Sequence, residues 1–450
     1  MAHLGPRLVV AGTHSGVGKT TVTTGLLAAL RAAGHRVANA KVGPDFIDPG
    51  YHALATGRPP RNLDPWLCGP DAMAPLAARA GEDADLLVVE GVMGLFDGAS
   101  DGSLSSTADL ARLLDAPVVL VVDVGGLAGS VAAVVHGFAT LDPDLDLAGV
   151  ICNRVGSDGH EAMLREALAP LGVPVLGALR RDDRLTWRDR HLGLVPVAEE
   201  PDAVRHSLDG LAAVLARHVD LDAVVAVAQS AAERPVGDVA LPESGPPMRV
   251  AVAGGAAFSF TYADSIDALR AAGAEVVPFD PLIDRALPAA VDGLIAGGGF
   301  PETFAPELAA NAELLTDVRQ AVDGGLVTWA ECGGLLWLAR AIDGHAMAGA
   351  VPVDAHMTDR LTLGYRVATT NVATPLGPAG TVVRGHEFHY SVTEPAGAAL
   401  RLESRWGNGP EGHATPDLLA TYLHHHPGGD PSAIAAFVDR CRNRHPERDR

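Results

Sequence analysis

Cysteine, lysine and net positive charge are all scarce in this sequence. Its 450 residues include four cysteines, no two of which stand in a C-x-x-C spacing, so neither a disulfide framework nor a thiolate zinc site is indicated. The formal net charge of −21 argues against general binding of nucleic acid or acidic membranes, because both require a basic surface. No apolar run approaches the ~18 residues of a membrane span, and the amino-terminal run is too short for a signal peptide. We therefore expect a cytoplasmic protein.

Lysine is the rarest charged residue. Lysine and arginine together number 34, yet only Lys19 and Lys41 are lysines. A lysine ammonium is a compact point charge, which a planar guanidinium does not replace. The two lysines therefore indicate functional positions near the start of the chain.

The hydrophobic pattern predicts two α/β domains. Over residues 1–228, buried-strand runs such as "RLVVAG", "DLLVVEG" and "APVVLVVDV" alternate with helical stretches, which is typical of βαβ units on a parallel sheet. The alternation stops in "QSAAERPVGDVALPESGPPM", and we predict a linker over 229–248. It resumes over 249–446, with a more β-rich stretch at 350–423. In this second domain, "PELAANAELLTDVRQAVDGG" is predicted to be one helix.

The segment "GTHSGVGKTT", between a predicted strand and a predicted helix, indicates a phosphate-binding loop. Its glycines let backbone N–H groups converge on phosphates, Lys19 can reach the terminal phosphates, and Thr20 offers a hydroxyl to Mg²⁺. The loop departs from the strict pattern because Thr13 holds the first glycine position. Asn153, after a later strand, could read the base, or it could serve ordinary turn chemistry. The predicted nucleotide-binding residues are Gly16, Gly18, Lys19, Thr20, Thr21 and Asn153.

Acidic residues follow other strands of the same domain. Glu90 ends "LLVVEG", at the carboxyl edge where open α/β sheets bind ligands. "KVGPDFIDPGYH" places Asp45 and Asp48 just after Lys41, and "GVMGLFDG" adds Asp97. Any one of these acids could be a solvated loop residue or a helix cap, but the four together beside Lys41 favour a functional site.

Cys332 is the candidate nucleophile. In "LVTWAECGG" it follows a predicted strand and precedes a predicted helix, "GLLWLARAI". Such a sharp turn raises the thiol above the sheet edge and aims a helix amino terminus at it. Gly333 lets the backbone turn and offers an N–H group to an oxyanion. Cys68, Cys152 and Cys441 lack this context.

Three consecutive histidines supply candidate bases. "LATYLHHHPGG" ends a predicted strand, and alternation points His424 and His426 to one face and His425 to the other. A metal site is the alternative for such a run. "GHEFHYS" places His386, Glu387 and His389 on a further strand, where a structural role is at least as good an explanation as catalysis.

These motifs together resemble the cobyrinic/hydrogenobyrinic acid a,c-diamide synthases of cobalamin biosynthesis. The resemblance rests on "GTHSGVGKTT", "KVGPDFIDPGYH", "NLDPW", "EGVMGLFDG" and "RHLGLV", and continues through "GGGFPE" and "ECGG" to the last histidines. It implies a P-loop NTPase-type parallel sheet in an ATP-binding ligase domain, followed by a flavodoxin-like class I glutamine amidotransferase domain. The implied activity is amidation of two carboxylates of a tetrapyrrole polycarboxylate, with ATP and glutamine as co-substrates and Mg²⁺ as cofactor. A homodimer is compatible with this reading.

The resemblance also assigns roles to residues. Lys41, Asp45, Asp48 and Asp97 are implied to surround the substrate carboxylate or its acyl phosphate, and Thr20, Asp48 and Glu90 to hold the metal. In the second domain, Cys332 is the implied nucleophile, and His424 and His426 are the implied catalytic histidines, of which His424 aligns best with the base. Class I amidotransferases usually carry glutamate two residues after this histidine, and this chain has His426 there. The implied oxyanion donors are Gly298, Gly299 and Gly333.

Three other functions fit parts of the pattern. Nickel-sirohydrochlorin a,c-diamide synthase and cobyric acid synthase belong to the same chemistry, although "KVGPDFIDPGYH" favours the a,c-diamide enzyme over cobyric acid synthase. A P-loop ATPase switch of the partitioning type would usually carry a second lysine early in the loop, where this chain has His14.

The Arg-rich "RRDDRLTWRDRHLG" could gather a polycarboxylate or could be a solvated helix end.

Overall fold

The computed structural model describes residues 2–99, 102–181, 189–190, 193–405 and 407–444. The chain separates into two compact units, Met1–Val239 and Ala240–Arg450, which are described one at a time. Across the described residues, no helix is both long enough and apolar enough to cross a membrane.

The first unit is built on a seven-stranded sheet that is parallel throughout. Its strand order is β4-β3-β5-β2-β6-β7-β8, and the central strands are buried along their whole length, as expected when helices cover both faces. The strands in the described part of the unit, inside and outside this sheet, are β1 (Ala2–Leu4), β2 (Arg7–Gly12), β3 (Val37–Val42), β4 (Asn62–Leu63), β5 (Leu86–Glu90), β6 (Val118–Asp123), β7 (Leu147–Val155), β8 (Val175–Arg180), β9 (Asp189–Arg190), β10 (Gly193–Leu194) and β11 (Arg234–Val236).

Nine α-helices lie between these strands in the described part of the unit. They are α1 (Lys19–Ala32), α2 (Asp48–Thr56), α3 (Pro65–Cys68), α4 (Met73–Ala80), α5 (Thr107–Leu114), α6 (Val131–Thr140), α7 (Asp158–Leu168), α8 (Pro201–His218) and α9 (Leu221–Ser230), with 3₁₀ turns at Pro70–Ala72 and Ala169–Leu171. Strand β11 falls within the segment predicted as a linker and pairs with β1.

The described part of the second unit has two sheets. The first has the order β13-β12-β14-β15-β23-β22 and is parallel except for β22, and the second is a mixed sheet built around the long hairpin β18–β19. Its strands are β12 (Met248–Ala253), β13 (Ala274–Phe279), β14 (Gly293–Ala296), β15 (Val327–Glu331), β16 (Ala341–Ile342), β17 (His345–Ala346), β18 (Asp354–Thr370), β19 (Val382–Glu394), β20 (Leu400–Ser404), β21 (Gly407–Glu411), β22 (His413–Thr415), β23 (Leu418–Thr421) and β24 (His424–His425).

Five α-helices complete the described part of this unit. They are α10 (Ala263–Ala271), α11 (Ala305–Ala310), α12 (Ala312–Asp323), α13 (Gly333–Leu338) and α14 (Ser432–Asn443), with a 3₁₀ turn at Pro301–Phe304. The predicted α/β class is confirmed for both units, and so is the β-rich stretch at 350–423.

Two helix predictions in this unit are wrong. The stretch predicted as one helix at 306–325 is broken at Asn311, whose side-chain amide donates to Pro281 O and Asp284 O at 2.9 and 2.7 Å. These bonds tie the chain to a neighbouring loop and hold Asn311 at a ψ of 55°, outside the helical region. The helix predicted over "GLLWLARAI" ends at Leu338, because Ala339 is extended and the chain enters β16.

Candidate active sites

The phosphate-binding loop lies between β2 and α1. Gly18, which precedes the helix, has a φ of 93°, a conformation that favours glycine. A Cβ added there would lie 2.4 Å from Asn153 Nδ2. The Asn153 amide donates to Val17 O at 2.8 Å. Asn153 therefore supports the loop backbone directly, and its contact with the base stays a prediction.

A cavity of about 1070 Å³ opens beside this loop. That volume is at the upper end of the range of small-molecule sites. The predicted nucleotide-binding residues all line it, and Arg154 and Asp123 pair on its wall. Its lining includes Gly16, Gly18, Lys19, Thr20, Thr21, Asn153, Thr13, Asp123, Arg154 and Arg180.

Lys19 is held within the loop region by backbone oxygens. Its amino group donates to Met93 O at 2.5 Å and to His14 O at 3.3 Å. Burial, followed by the nearby positive charge of Lys41, lowers the Lys19 pKa to about 8. A phosphate at the loop would offset both effects.

Lys41 is the centre of a buried ionic cluster. Its amino group lies 2.6 Å from Asp48 Oδ2, 2.8 Å from Glu90 Oε1 and 3.2 Å from Gly91 O. Thr20 Oγ1 donates to the same two carboxylates, at 2.7 Å to Glu90 and 3.1 Å to Asp48. Burial alone would lower the Lys41 pKa, but Asp48 and Glu90 outweigh it and raise the pKa above its ordinary value. The structure thus brings four predicted residues together.

His52 is a member of this cluster that the sequence reading did not single out. Its Nε2 lies 2.6 Å from Glu90 Oε2, and both side chains are fully buried. Burial would raise the Glu90 pKa, but Lys41 and His52 outweigh it and hold the pKa well below its usual range. His52 stands four residues after Asp48, one turn along α2, and that spacing was the available signal.

Of the two remaining predicted acids, Asp45 lies near Lys41 and Asp97 is bonded within its own loop. Asp45 lies 4.0 Å from the Lys41 amino group and accepts the Ile47 N–H at 2.7 Å. Burial, followed by the charge of Asp48, raises the Asp45 pKa to about 7. Asp97 accepts the Gly94 N–H at 2.8 Å, within its own loop, and so stabilises that turn.

Cys332 occupies a sharp turn between β15 and α13. Its φ of 47° and ψ of −100° are uncommon for a residue with a side chain, and its N–H donates to Thr421 O at 2.7 Å. Burial raises the thiol pKa, and the charge of Glu302 adds to that effect, whereas the Gly333 N–H acts in the opposite direction. An unassisted thiol here would stay protonated, so the site needs a base.

A glycine loop after β14 faces the Cys332 turn. A Cβ on Gly333 would lie 3.1 Å from Gly299 N, and one on Gly299 would lie 2.1 Å from Ala257 O. The Gly298 N–H already donates to Phe260 O at 3.1 Å. Among the three predicted oxyanion donors, Gly298 is therefore engaged in backbone pairing, and Gly299 and Gly333 remain candidates.

His424 lies against the same glycine loop. A Cβ on Gly298 would fall 2.4 Å from its Cε1 and 3.2 Å from its Nε2, so that edge of the ring faces the loop. The opposite nitrogen, Nδ1, lies 3.7 Å from Glu331 Oε2. Glu331 directly precedes the candidate nucleophile and was not singled out from sequence.

His426 has a different environment. Its Nε2 lies 3.8 Å from Asp264 Oδ2, its Nδ1 accepts the Gly428 N–H at 3.0 Å, and its ring packs on Tyr262. His425 contacts Arg384 O through Nδ1 at 3.1 Å. The histidine run is therefore divided among separate partners. Within the described ranges, no group of three His, Cys, Asp or Glu side chains is arranged to hold a metal.

The strand with "GHEFHYS" carries three further buried polar side chains, His386, Glu387 and His389. Glu387 pairs with Arg366 Nε at 2.6 Å, and the His389 ring stacks on Tyr422 with centroids 3.8 Å apart. The His386 ring lies 4.9 Å from that of His424. Most of the Arg-rich segment at 180–193 lies outside the described residues.

Comparison with known proteins assigns a domain family to most of each unit. Residues 8–195 match the family described as CobQ/CobB/MinD/ParA nucleotide binding domain, and residues 249–431 match the CobB/CobQ-like glutamine amidotransferase domain. The hydrogenobyrinate a,c-diamide synthases of Streptomyces coelicolor and Thermobifida fusca are each 48% identical to this chain. These alignments cover 97% and 96% of this chain and 98% and 96% of the relatives. The cobyrinate a,c-diamide synthase of Syntrophotalea carbinolica is 45% identical over 97% of this chain and 99% of the relative. The chain belongs to the cobyrinate/hydrogenobyrinate a,c-diamide synthase family.

Proposed function

We propose that this protein converts the a and c carboxylates of cobyrinic or hydrogenobyrinic acid into amides, with ATP as the activating reagent and glutamine as the nitrogen donor. The substrate follows from the names of near-full-length relatives at 45–48% identity. The observation that carries the ligase chemistry is the buried Lys41 ammonium beside the phosphate-binding loop, in contact with Asp48 and Glu90. We expect the reaction in the cytoplasm, where ATP and glutamine are abundant.

The first half of the reaction is carboxylate activation. A carboxylate is a poor electrophile, so one of its oxygens attacks the γ-phosphorus of ATP, ADP leaves, and an acyl phosphate forms. Lys19, held by His14 O and Met93 O beside the loop, would reach the terminal phosphates, and the Lys41 ammonium would add positive charge. Both ammonium groups stabilise the charge that builds up on the transferring phosphoryl group.

The donor atoms around Thr20 fit a magnesium ion. Thr20 Oγ1 and the Asp48 and Glu90 carboxylates are hard oxygen ligands, and each carboxylate lies within hydrogen-bond distance of the Thr20 hydroxyl. Mg²⁺ is usually held by one or two carboxylates together with substrate phosphates. When bound, it would neutralise charge on the nucleotide phosphates.

The second half of the reaction is ammonia release and capture. In the second unit, the Cys332 thiolate attacks the side-chain amide of glutamine, ammonia leaves, and water hydrolyses the resulting thioester to glutamate. The Gly299 and Gly333 backbone N–H groups are the candidates to stabilise the oxyanion. The ammonia then attacks the acyl phosphate, and inorganic phosphate leaves.

An isotope experiment tests the acyl phosphate. A corrin precursor whose carboxylates carry ¹⁸O is incubated with ATP, Mg²⁺ and ammonium chloride, and the inorganic phosphate is analysed by mass spectrometry. The proposal predicts one ¹⁸O atom in each phosphate released. Amide formation with unlabelled phosphate would contradict it.

A further inference from the structure

We propose that Glu331, the residue directly before the nucleophile, is the carboxylate that orients the His424 ring. The inference rests on the proposed glutaminase function of Cys332. Class I amidotransferases usually place this acid two residues after the histidine, and there this chain has His426. Glu331 would supply the same carboxylate from the strand that carries the nucleophile.

The geometry of the Glu331 side chain supports this role. One carboxylate oxygen, Oε2, lies 3.7 Å from His424 Nδ1, and the other, Oε1, accepts the His425 backbone N–H at 3.1 Å. The carboxylate therefore contacts both the ring of the base and the backbone that follows it. Only 13% of the Glu331 side chain is exposed, so solvent screens this charge weakly.

Strand pairing explains how the acid reaches the histidine. Strand β15 pairs in parallel with β23, and Glu331 stands opposite Thr421 at the end of that register. Three residues after Thr421 the chain reaches His424. The chain turns sharply at Cys332, where φ is 47°, while Glu331 remains at the end of β15 and accepts the His425 N–H.

Three neighbouring carboxylates have partners of their own. Asp264 lies beside His426, and Glu387 pairs with Arg366. Glu411 accepts the Thr421 hydroxyl at 2.5 Å and the Tyr422 N–H at 2.8 Å. Glu331 is the acid whose carboxylate lies 3.7 Å from the His424 ring.

A carboxylate at Nδ1 gives His424 its catalytic form. It favours the tautomer with the proton on Nδ1, which leaves Nε2 free to accept the Cys332 thiol proton. The Nε2 edge of the ring faces the glycine loop next to the nucleophile. The proton then passes from Nε2 to the departing ammonia, so the thiol loses a proton and the leaving group gains it.

The test uses E331Q in the full-length protein. Glutamine keeps an oxygen that can accept the His425 N–H but removes the negative charge. We expect the kcat for glutamine hydrolysis to fall at least about tenfold, with KM for glutamine and ammonia-dependent amidation nearly unchanged. E331D, which keeps the charge on a shorter side chain, should retain an intermediate kcat. The pH at which Cys332 becomes reactive to iodoacetamide should rise in E331Q.

D264N is the matched control, because it removes the carboxylate next to His426 instead. It should keep near wild-type glutamine hydrolysis. The inference is overturned if E331Q keeps wild-type kcat and iodoacetamide reactivity, or if D264N is the more impaired variant. If the wild-type protein amidates neither corrin precursor with glutamine or with ammonia, then the proposed function itself fails, whatever the variants do.

Discussion

The amino group of Lys41 lies 2.6 Å from Asp48 Oδ2, in a cluster that also includes Glu90 and the hydroxyl of Thr20. One of the two lysines in the chain is thus buried where a P-loop threonine meets two carboxylates. The buried cation partly balances the two acids, and a buried charge without a partner would be costly.

Replacement of Lys41 by methionine should impair corrin amidation and spare glutamine hydrolysis. Removing one partner of a buried ion pair leaves charge uncompensated, at a cost of about 3–5 kcal/mol in unfolding free energy. We expect corrin amidation to fall by at least about a hundredfold with either nitrogen source, because transition-state charge stabilisation is lost. Glutamine hydrolysis should persist. Rates and chemical denaturation measure these effects.

Arg36→Met is the control for this substitution, since Arg36 and Asp85 form an exposed ion pair on the same unit. It should change neither activity nor stability appreciably. Equal effects of the two substitutions would contradict the importance of the buried cluster.

Cys332→Ala should abolish glutamine-dependent amidation and leave ammonia-dependent amidation intact. The thiol is the nucleophile only for nitrogen release, and ammonia supplied directly bypasses that step. Cys441→Ala, at a buried cysteine of α14 in the same unit, should keep glutamine-dependent activity. If Cys332→Ala lost amidation with ammonia as well as with glutamine while its fold stayed intact, the assignment of Cys332 to nitrogen release would be contradicted.

Nucleotide affinity should depend on the protonation of Lys19. Its pKa of about 8 lies below the ordinary value for lysine, and a bound phosphate would raise it. Binding of ATP should therefore be strongest below pH 8 and weaken as the pH rises through that value, by up to about tenfold per pH unit. Calorimetric titration from pH 7 to pH 9.5 measures the dependence. Constant affinity over this range would contradict it.

The pH dependence of stability should change in Glu411→Gln. Burial is the main cause that raises the Glu411 pKa to about 7. Because the folded pKa exceeds the unfolded one, this group stabilises the fold most below its ordinary pKa, and that contribution disappears as the pH rises through 7. Glutamine can still accept the Tyr422 N–H and bond to Thr421. Melting curves measure the difference in melting temperature between the variant and the wild type. This difference should favour the variant more at pH 8 than at pH 5.

Gly299→Ala tests the glycine loop at the glutaminase site. The φ of 154° and the 2.1 Å separation between an added Cβ and Ala257 O leave no space for a methyl group without movement of the backbone. Glutamine hydrolysis should be lost, and the unit should be less stable. Gly409→Ala, where an added Cβ meets nothing within 4 Å, should have little effect. Comparable behaviour of the two variants would argue against a constrained loop.

Short-range motifs explain what could be predicted from the sequence. The P-loop and the Lys41 segment can be recognised from the local spacing of their residues. Because parallel strands end at the same edge of a sheet, Glu90 could also be predicted to lie near them. The roles suggested for Glu331 and His52 depend on contacts between distant segments. Glu331 and His425 are 94 positions apart and meet only through the pairing of β15 with β23.

Local helix predictions failed where side chains or the sheet overrode periodicity. Asn311 interrupts an otherwise helical stretch because its amide is bonded to backbone oxygens of a separate loop. The helix after Cys332 stops after six residues because the following segment joins a sheet. Neither partner is visible from the sequence of the helix itself.

We propose that a single chain moves nitrogen from glutamine to two carboxylates of a corrin precursor. The direct test is mass spectrometry of cobyrinic and hydrogenobyrinic acid after incubation with the protein, ATP, Mg²⁺ and glutamine labelled with ¹⁵N in its side-chain amide. We predict a product in which two carboxyl groups have become ¹⁵N-labelled amides. Unchanged mass of both corrin precursors, with a folded protein and ATP present, would contradict the account.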